Sequence, residues 1–412
     1  MTNAAEIVVV GGGLGGLITA CHLATGGARV RLLEGGVVGG RAAAGSLRDA
    51  GGGPLPSPLN LGPRALYRGG PLDRALKAFG IKPAGFTPPA AGFAWRQGSL
   101  HALPTSPSTL LSSSLLRGPG LREAGLALAR LTIGAFDVDD GETIGAWIER
   151  HAQADDARDL LRALVRVSTY SADDGLDAVI AVRQVRAAIA RGVRYVDGGW
   201  CGIVAALVEK ARSLGVVVEE HCRVESAAGG VVLCADGRSF PAAALVIAGS
   251  PQLASTILQT SSSSSPSSLS GPVTSACLDL VLERLPEPGR RFVLGVDVPL
   301  YFSVHTARGT AGPVIVHAMA YGAATREELE AFVDVVQPGF RSLIRGSRYL
   351  PRMIVAHASP RPKQERQAVV VDAGTVLVGD WLDTPHLIAD AVADTAATAA
   401  RALLQHRVKA AA

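Results

Sequence analysis

Cysteine is scarce in this chain, aromatic residues make up only 5%, and no long apolar run occurs. Five Cys stand among 412 residues: Cys21, Cys201, Cys222, Cys234 and Cys277. None forms a C-x-x-C pair, and none lies beside a His at metal-ligand spacing, so no metal site is expected. An odd number in a chain this long points to a reduced, cytoplasmic setting. No stretch reaches about 18 uninterrupted apolar residues, so no membrane-spanning helix is expected. The start, MTNAAEIVVVGGG, has no basic region and runs into glycines instead of a cleavage site, which argues against a signal peptide. Lys is scarce as well. The net charge of +4 comes from scattered Arg, with no basic stripe interleaved with aromatics, which excludes a nucleic-acid partner. Aromatic residues at 5% give little material for an aromatic cage around an amine.

What is present is apolar and glycine-rich. Hydrophobic residues make up 48% and charged residues 18%, which suits a large buried interior and not disorder. At 412 residues, two domains are the natural expectation. Ile7 to Val10 is a β-branched run that reads as a buried parallel strand. Leu14 to Ala24 has helical spacing, and Ala28 to Leu33 reads as a second strand, completing a βαβ unit of usual size. Leu72 to Phe79 reads as a helix, and 93–103 as a hairpin around Gln97-Gly98. The block 105–191 reads as a helical insertion. Beyond it come a helix from Gly202 to Leu214 and short strands at Val216–Glu219, Gly230–Ala235 and Ala244–Ala248. The Ser-rich stretch 261–271 reads as a linker or loop. Cys277–Glu283, Phe292–Val296, Val314–Ala320 and Arg352–His357 alternate like strands of a second sheet. Val369–Asp372 and Val376–Val378 return to short buried β runs, and His386 to Leu404 is a closing helix.

Gly11, Gly13 and Gly16 form G-x-G-x-x-G between that first strand and helix, the context this motif requires. Gly11 permits a tight turn, Gly13 lets backbone approach a pyrophosphate, and Gly16 allows close helix–strand packing. Leu14 and Gly15 open the helix, whose free N–H groups favour an anion. Glu34 ends the second strand, placed to accept hydrogen bonds from ribose hydroxyls.

Just beyond Glu34 comes Gly39-Gly40-Arg41. The stretch LLEGGVVGGRAAAG resembles the signature of the flavin amine oxidase, phytoene desaturase and protoporphyrinogen oxidase superfamily. In that family the Gly pair lies close to FAD and the Arg contacts its pyrophosphate region. Asn60-Leu61-Gly62-Pro63-Arg64 resembles the D-x-G-x-H segment that runs along the isoalloxazine ring, with Asn60 for the usual acid and Arg64 for the usual His. An Arg there could stabilise an anionic reduced ring or bind a substrate carboxylate. Tyr195 to Trp200 is similar to the family's P-x-G-G segment, and Val224 stands where a backbone pairs with adenine. Val376-Leu377-Val378-Gly379-Asp380 is similar to the last FAD motif. Asp380 is there expected near the ribityl or pyrophosphate region, and a helix start near Leu387 and Ile388 is expected at the flavin C2 carbonyl. No Cys follows Cys277, so FAD is expected to be noncovalent.

The resemblance implies an α/β fold. A Rossmann-like FAD-binding domain is assembled from 1–71, 193–260 and 363–412. An α+β substrate domain with a mixed sheet and the helical insertion takes 72–192 and 272–362. The implied activity is an FAD-dependent oxidase, dehydrogenase or desaturase that removes a hydride from a small, hydrophobic organic molecule. A non-redox flavin-dependent isomerase on the same scaffold is an alternative, as is a lipid- or prenyl-binding protein like the GDP-dissociation inhibitors. Glu34, Gly40-Arg41 and Gly379-Asp380 argue against the latter. Beyond the flavin, Arg64, Tyr301 and His317 are the candidate catalytic side chains. No separate NAD(P)H motif occurs, so oxygen, a quinone or another carrier is the expected acceptor. The apolar stretch 108–135 admits two readings. One is a core-facing helix pair; the other, as in phytoene-desaturase-like enzymes, is a surface that touches a membrane.

Overall fold

A computed structural model describes residues 6–45, 47, 55, 59–89, 91–104, 106–258 and 270–411. The Ser-rich stretch expected as a linker at 261–271 lies outside these residues except for Ser270 and Gly271.

The chain's opening run, Ile7–Val10, is buried at every position and sits in the middle of a five-stranded parallel sheet. β-branched residues tolerate that position because both faces are covered. The strand order is Thr375–Val378, Ala244–Ala248, Ile7–Val10, Val30–Leu33, Val217–Glu219. Neighbours in this sheet come from opposite ends of the chain, so the sheet is discontinuous in sequence. Helix Leu14–Thr25 packs against helix Ile388–Ala411 and helix Trp200–Ser213 on it. A three-stranded antiparallel meander, Val224–Ala228, Val231–Cys234 and Ser239–Pro241, is appended, with Asp236-Gly237 at its turn.

The second sheet has seven strands in the order Ile344–Ala356, Val273–Leu282, Val314–Ala320, Leu300–Val304, Phe292–Gly295, Phe93–Arg96, Ser99–Ala102. Only the Phe292–Gly295/Phe93–Arg96 pair is parallel, so the sheet is mixed. The expected hairpin at 93–103 forms its edge, with Gln97 and Gly98 at positive φ in the turn. Helices Gly118–Ile133, Ile144–His151, Asp155–Thr169 and Ala178–Arg191 cover one face of this sheet, forming a core with Tyr301, Met319 and Tyr321. Helix Arg326–Val336 covers the other.

Two expectations are corrected. Val369–Asp372 is not a strand; it contributes only an isolated bridge, Val370 to Val376, since the short return through Gly374 leaves no room for a ladder. Leu72, Leu76 and Phe79 lie beyond the expected boundary at 71, yet they pack into the core of the parallel-sheet domain. Asp390 draws them there: its carboxylate accepts the Leu72 backbone N–H at 3.0 Å, tying helix Pro71–Ala78 to helix Ile388–Ala411.

Candidate functional site

The glycine turn after Ile7–Val10 is built as its spacing requires. Gly11 has φ +103°, and a Cβ there would stand 2.2 Å from the Ala248 carbonyl oxygen of the neighbouring strand. No other residue fits. Gly13, by contrast, faces open space: a Cβ would meet nothing within 4 Å. Helix Leu14–Thr25 starts at Gly13 with no side-chain cap, so its first N–H groups point into the same space. Gly39 lies across from Gly13 and donates its N–H to the Gly12 carbonyl at 2.8 Å, so the two Gly-rich turns brace each other. Glu34 accepts the Gly12 N–H at 2.6 Å and the Gly36 N–H at 2.8 Å, one on each oxygen. Each oxygen keeps a second lone pair for a ribose hydroxyl.

Arg41 and Asp380 meet across the chain's two ends. The guanidinium reaches the Asp380 carboxylate at 2.7 Å and the Val355 carbonyl at 2.8 Å. Asp380 also accepts Nδ1 of His357 at 2.8 Å. Its side chain is fully buried. Burial alone would raise its pKa, but Arg41 and His357 hold it at about 2.

These groups line one cavity, which continues past Pro63 and Arg64 to Tyr170, Trp200 and Met353. Of the expected cofactor residues, Gly11, Gly13, Leu14, Gly15, Glu34, Gly39, Gly40, Arg41, Pro63, Arg64, Gly379, Asp380 and Ile388 line it. Gly16 does not. It serves packing instead, since a Cβ there would fall 1.8 Å from the Gly11 carbonyl oxygen. Leu61, Gly62, Val224 and Leu387 also stand off the cavity wall. Gly62 is held from behind, its N–H 3.4 Å from the Asp279 carboxylate and Met353 pressed against it. Ile388 begins the closing helix at φ +49°, a strained conformation for a β-branched residue.

Two expected catalytic side chains are not brought to the cavity. His317 donates Nδ1–H to Asp279 at 2.7 Å and is buried. Tyr301 is buried and its hydroxyl lies 3.1 Å from that of Tyr195. The Tyr195 ring stacks on His305 at 3.9 Å, and His305 meets His317 edge-on at 4.6 Å. All of these lie in the wall behind the cavity. Cys277, Asp279 and His317 are close enough to hold a metal ion. They are instead bonded to one another, with Arg348 as the cation on Asp279 at 2.5 Å and 3.0 Å.

Sequence reasoning missed His357, Tyr170, Met353 and Trp200 as lining residues. Trp200 packs in the first core and also lines the cavity. Tyr170 lies at positive φ directly after helix Asp155–Thr169, a position no local motif announces. Of the tyrosines, Tyr170 lines the cavity, and Tyr321 and Tyr301 follow behind it, with Tyr170 to Tyr321 and Tyr301 to Tyr321 each 6.4 Å apart.

This geometry is that of a dinucleotide-binding flavoprotein, and the chain belongs to the flavin containing amine oxidoreductase family, whose model matches residues 14–276. It is similar in fold to an oxidoreductase from Methanosarcina mazei, at 16% identity over 95% of this chain and 99% of that one, TM-score 0.74. It is likewise similar to cyclohexylamine oxidase from Brevibacterium oxydans, at 14% identity over 98% and 100%, TM-score 0.71. Rab GDI from Plasmodium falciparum shares the scaffold at 12% identity over 98% of each chain, TM-score 0.61. No curated protein sequence matches. The chain is an FAD-dependent oxidoreductase.

The residues fit FAD on the structure's own terms. Gly13 faces open space, the helix behind it offers free donors, and Glu34 keeps acceptors to spare. No described helix is long and apolar enough to cross a membrane.

Proposed function

We propose that this protein removes a hydride from a small, hydrophobic organic molecule, with FAD held noncovalently. The observation that carries the reading is the composition of the cavity beyond Pro63. Tyr170, Trp200, Met353 and Ile354 present mainly apolar surface there, and Arg64 is the charged side chain among them. Burial pushes the Tyr170 hydroxyl pKa well up, so it stays protonated at neutral pH. This end of the cavity therefore binds and orients, and leaves the chemistry to the cofactor.

The turn at Gly13 and the start of helix Leu14–Thr25 would hold the pyrophosphate, Glu34 the adenosine ribose, and Arg41 with Asp380 the region between. The first turn of helix Ile388–Ala411 offers a positive helix end to the ring's acceptor edge. When bound, FAD supplies a two-electron acceptor for hydride. The chain's task is to exclude water: buried tyrosines close the rear wall, and Met353 closes the side against Gly62.

Anaerobic reduction tests this. A panel of apolar amines, unsaturated lipids and polar amines is mixed with the purified protein while flavin bleaching is followed. Faster bleaching by apolar compounds is expected. Reduction only by polar compounds such as short diamines would contradict the proposal.

We also propose that the exposed side chains of Leu111, Leu126 and Ile133, flanked by Arg122 and Arg130, form a peripheral membrane contact.

A further inference from the structure

Two of the five cysteines share one small space. Cys222 and Cys234 are free thiols, both buried, and their Sγ atoms lie 2.9 Å apart. The other three are occupied elsewhere. Cys21 donates to the Leu207 carbonyl at 3.8 Å, Cys201 to the Gly198 carbonyl at 3.2 Å, and Cys277 to the Asp279 carboxylate at 3.2 Å.

The backbone holds the pair side by side. The Ala235 N–H donates to the Arg223 carbonyl at 2.8 Å, and Cys234 stands opposite Val224 in the meander. Each cysteine is therefore within two positions of a residue already paired across the strands. A disulfide needs its sulfurs about 2 Å apart, so side-chain movement of roughly one ångström closes the gap.

The segment leading to Cys222 is zipped to the loop that carries Glu34. The Glu34 N–H donates to the Glu219 carbonyl at 2.9 Å, and the Cys222 N–H to the Glu34 carbonyl at 2.8 Å. The His221 N–H donates to the Gly36 carbonyl at 2.9 Å, and the Glu220 carboxylate accepts the Val38 N–H at 2.7 Å. Glu34 and Gly39, at the two ends of this zipper, line the cavity. A covalent tie at Cys222 thus anchors the loop 34–38 to the meander through its partner segment.

We propose that Cys222 and Cys234 close to a disulfide when the protein meets a peroxide, and that the bond fastens the loop 34–38 and slows the loss of FAD. The second half rests on the FAD reading of the cavity. The first sulfur attacks the peroxide: an S–O bond forms, the O–O bond breaks, and one water leaves. The second sulfur attacks the first: the S–S bond forms, the S–O bond breaks, and a second water leaves. Two thiols lose two electrons and two protons, and the peroxide is reduced to water. Burial pushes the Cys234 thiol up to about 12, so the reaction proceeds through brief opening of the meander and is slow.

The flavin-loaded protein is treated with hydrogen peroxide, unfolded in excess N-ethylmaleimide, and cut with trypsin without reductant. Peptide 213–223 is expected linked to peptide 224–238, lighter than their sum by two hydrogens. Dithiothreitol before alkylation should return both as separate alkylated peptides. Release of FAD from the oxidised protein is expected about threefold to tenfold slower, a part of what closing so short a loop contributes. Dithiothreitol should restore the faster rate, which it would not do after oxidation of Met353. C234A, which keeps the Cys222 N–H in place, should release FAD at one rate with or without peroxide.

Two separately alkylated peptides after peroxide overturn the inference. So does linkage of either peptide to Cys201 instead, or a linked pair with unchanged FAD release. A C234A protein slowed as much as the unaltered one overturns it as well. A protein that takes up no flavin refutes the cofactor reading and the second half with it. The linked peptides are read without flavin, so the two failures are distinguishable.

Discussion

The two sheets of this molecule hold the two halves of the site in different ways. The parallel sheet presents its half through backbone: a turn at Gly11, an open face at Gly13, a helix start, and a carboxylate braced by amides. The seven-stranded sheet acts through side chains from distant strands, with Asp279, His317 and Arg348 fixing segment 60–64 from behind. A backbone device depends on a few residues in fixed local order. A side-chain device depends on tertiary placement. The first should therefore fail abruptly when one residue changes, and the second by degrees.

The most damaging change should fall on the backbone half. Gly11→Val meets both the positive φ and the Ala248 carbonyl at 2.2 Å, so loss of bound flavin is expected, read as the ratio of visible to ultraviolet absorption. A G11V protein that still carried FAD would break the comparison. Next comes Asp380→Ala, which removes the buried carboxylate shared by Arg41 and His357. Arg41 is about a third exposed, so water screens the charge left behind, and chemical denaturation at neutral pH should show a loss of about 1 to 2 kcal/mol.

Acid should expose the same pair. The folded pKa of Asp380, about 2, lies below its unfolded value near 4. Its stabilisation is therefore present above about pH 4 and is lost as pH falls towards 2, a change of about 2 kcal/mol. Asp390 works the other way. Burial raises it to about 6 despite the Leu72 amide, so folding favours its protonated form. Stability should fall as pH rises from about 4 through 6. Asp390→Asn keeps an acceptor for Leu72 and should gain about 1 kcal/mol above pH 6 while flattening that slope. Thermal unfolding across pH 4 to 8 checks it. The smallest stability effect is expected from Leu126→Ser with Ile133→Ser, within about 0.5 kcal/mol, since both side chains are exposed. Their removal should nonetheless reduce sedimentation with anionic vesicles, and unchanged sedimentation would count against a membrane contact.

The same contrast explains what could be read from the sequence. Gly11, Gly13, Glu34, Gly40, Arg41 and Asp380 announce themselves because each sits in a short motif that forces one backbone path, and the structure lines one cavity with all six. Met353 belongs to a strand with no motif, His357 directly follows that strand, and Tyr170 stands at a helix end. Their approach to the cavity depends on how two sheets and a helical layer meet. Tyr301 and His317 lie on neighbouring strands, but period-two spacing does not tell which face meets the cavity and which the buried wall. Helix Arg326–Val336 was legible and missed: Thr325 and Glu328 form a capping box, a local signal of a helix start.

The account depends most on one long cofactor lying across both chain ends. The direct measurement is to purify the protein, denature it, and identify and count what is released. A single FAD per chain, freed without proteolysis, is the predicted result. FMN, a flavin that stays attached to the denatured chain, or a colourless protein that takes up no added FAD would contradict it.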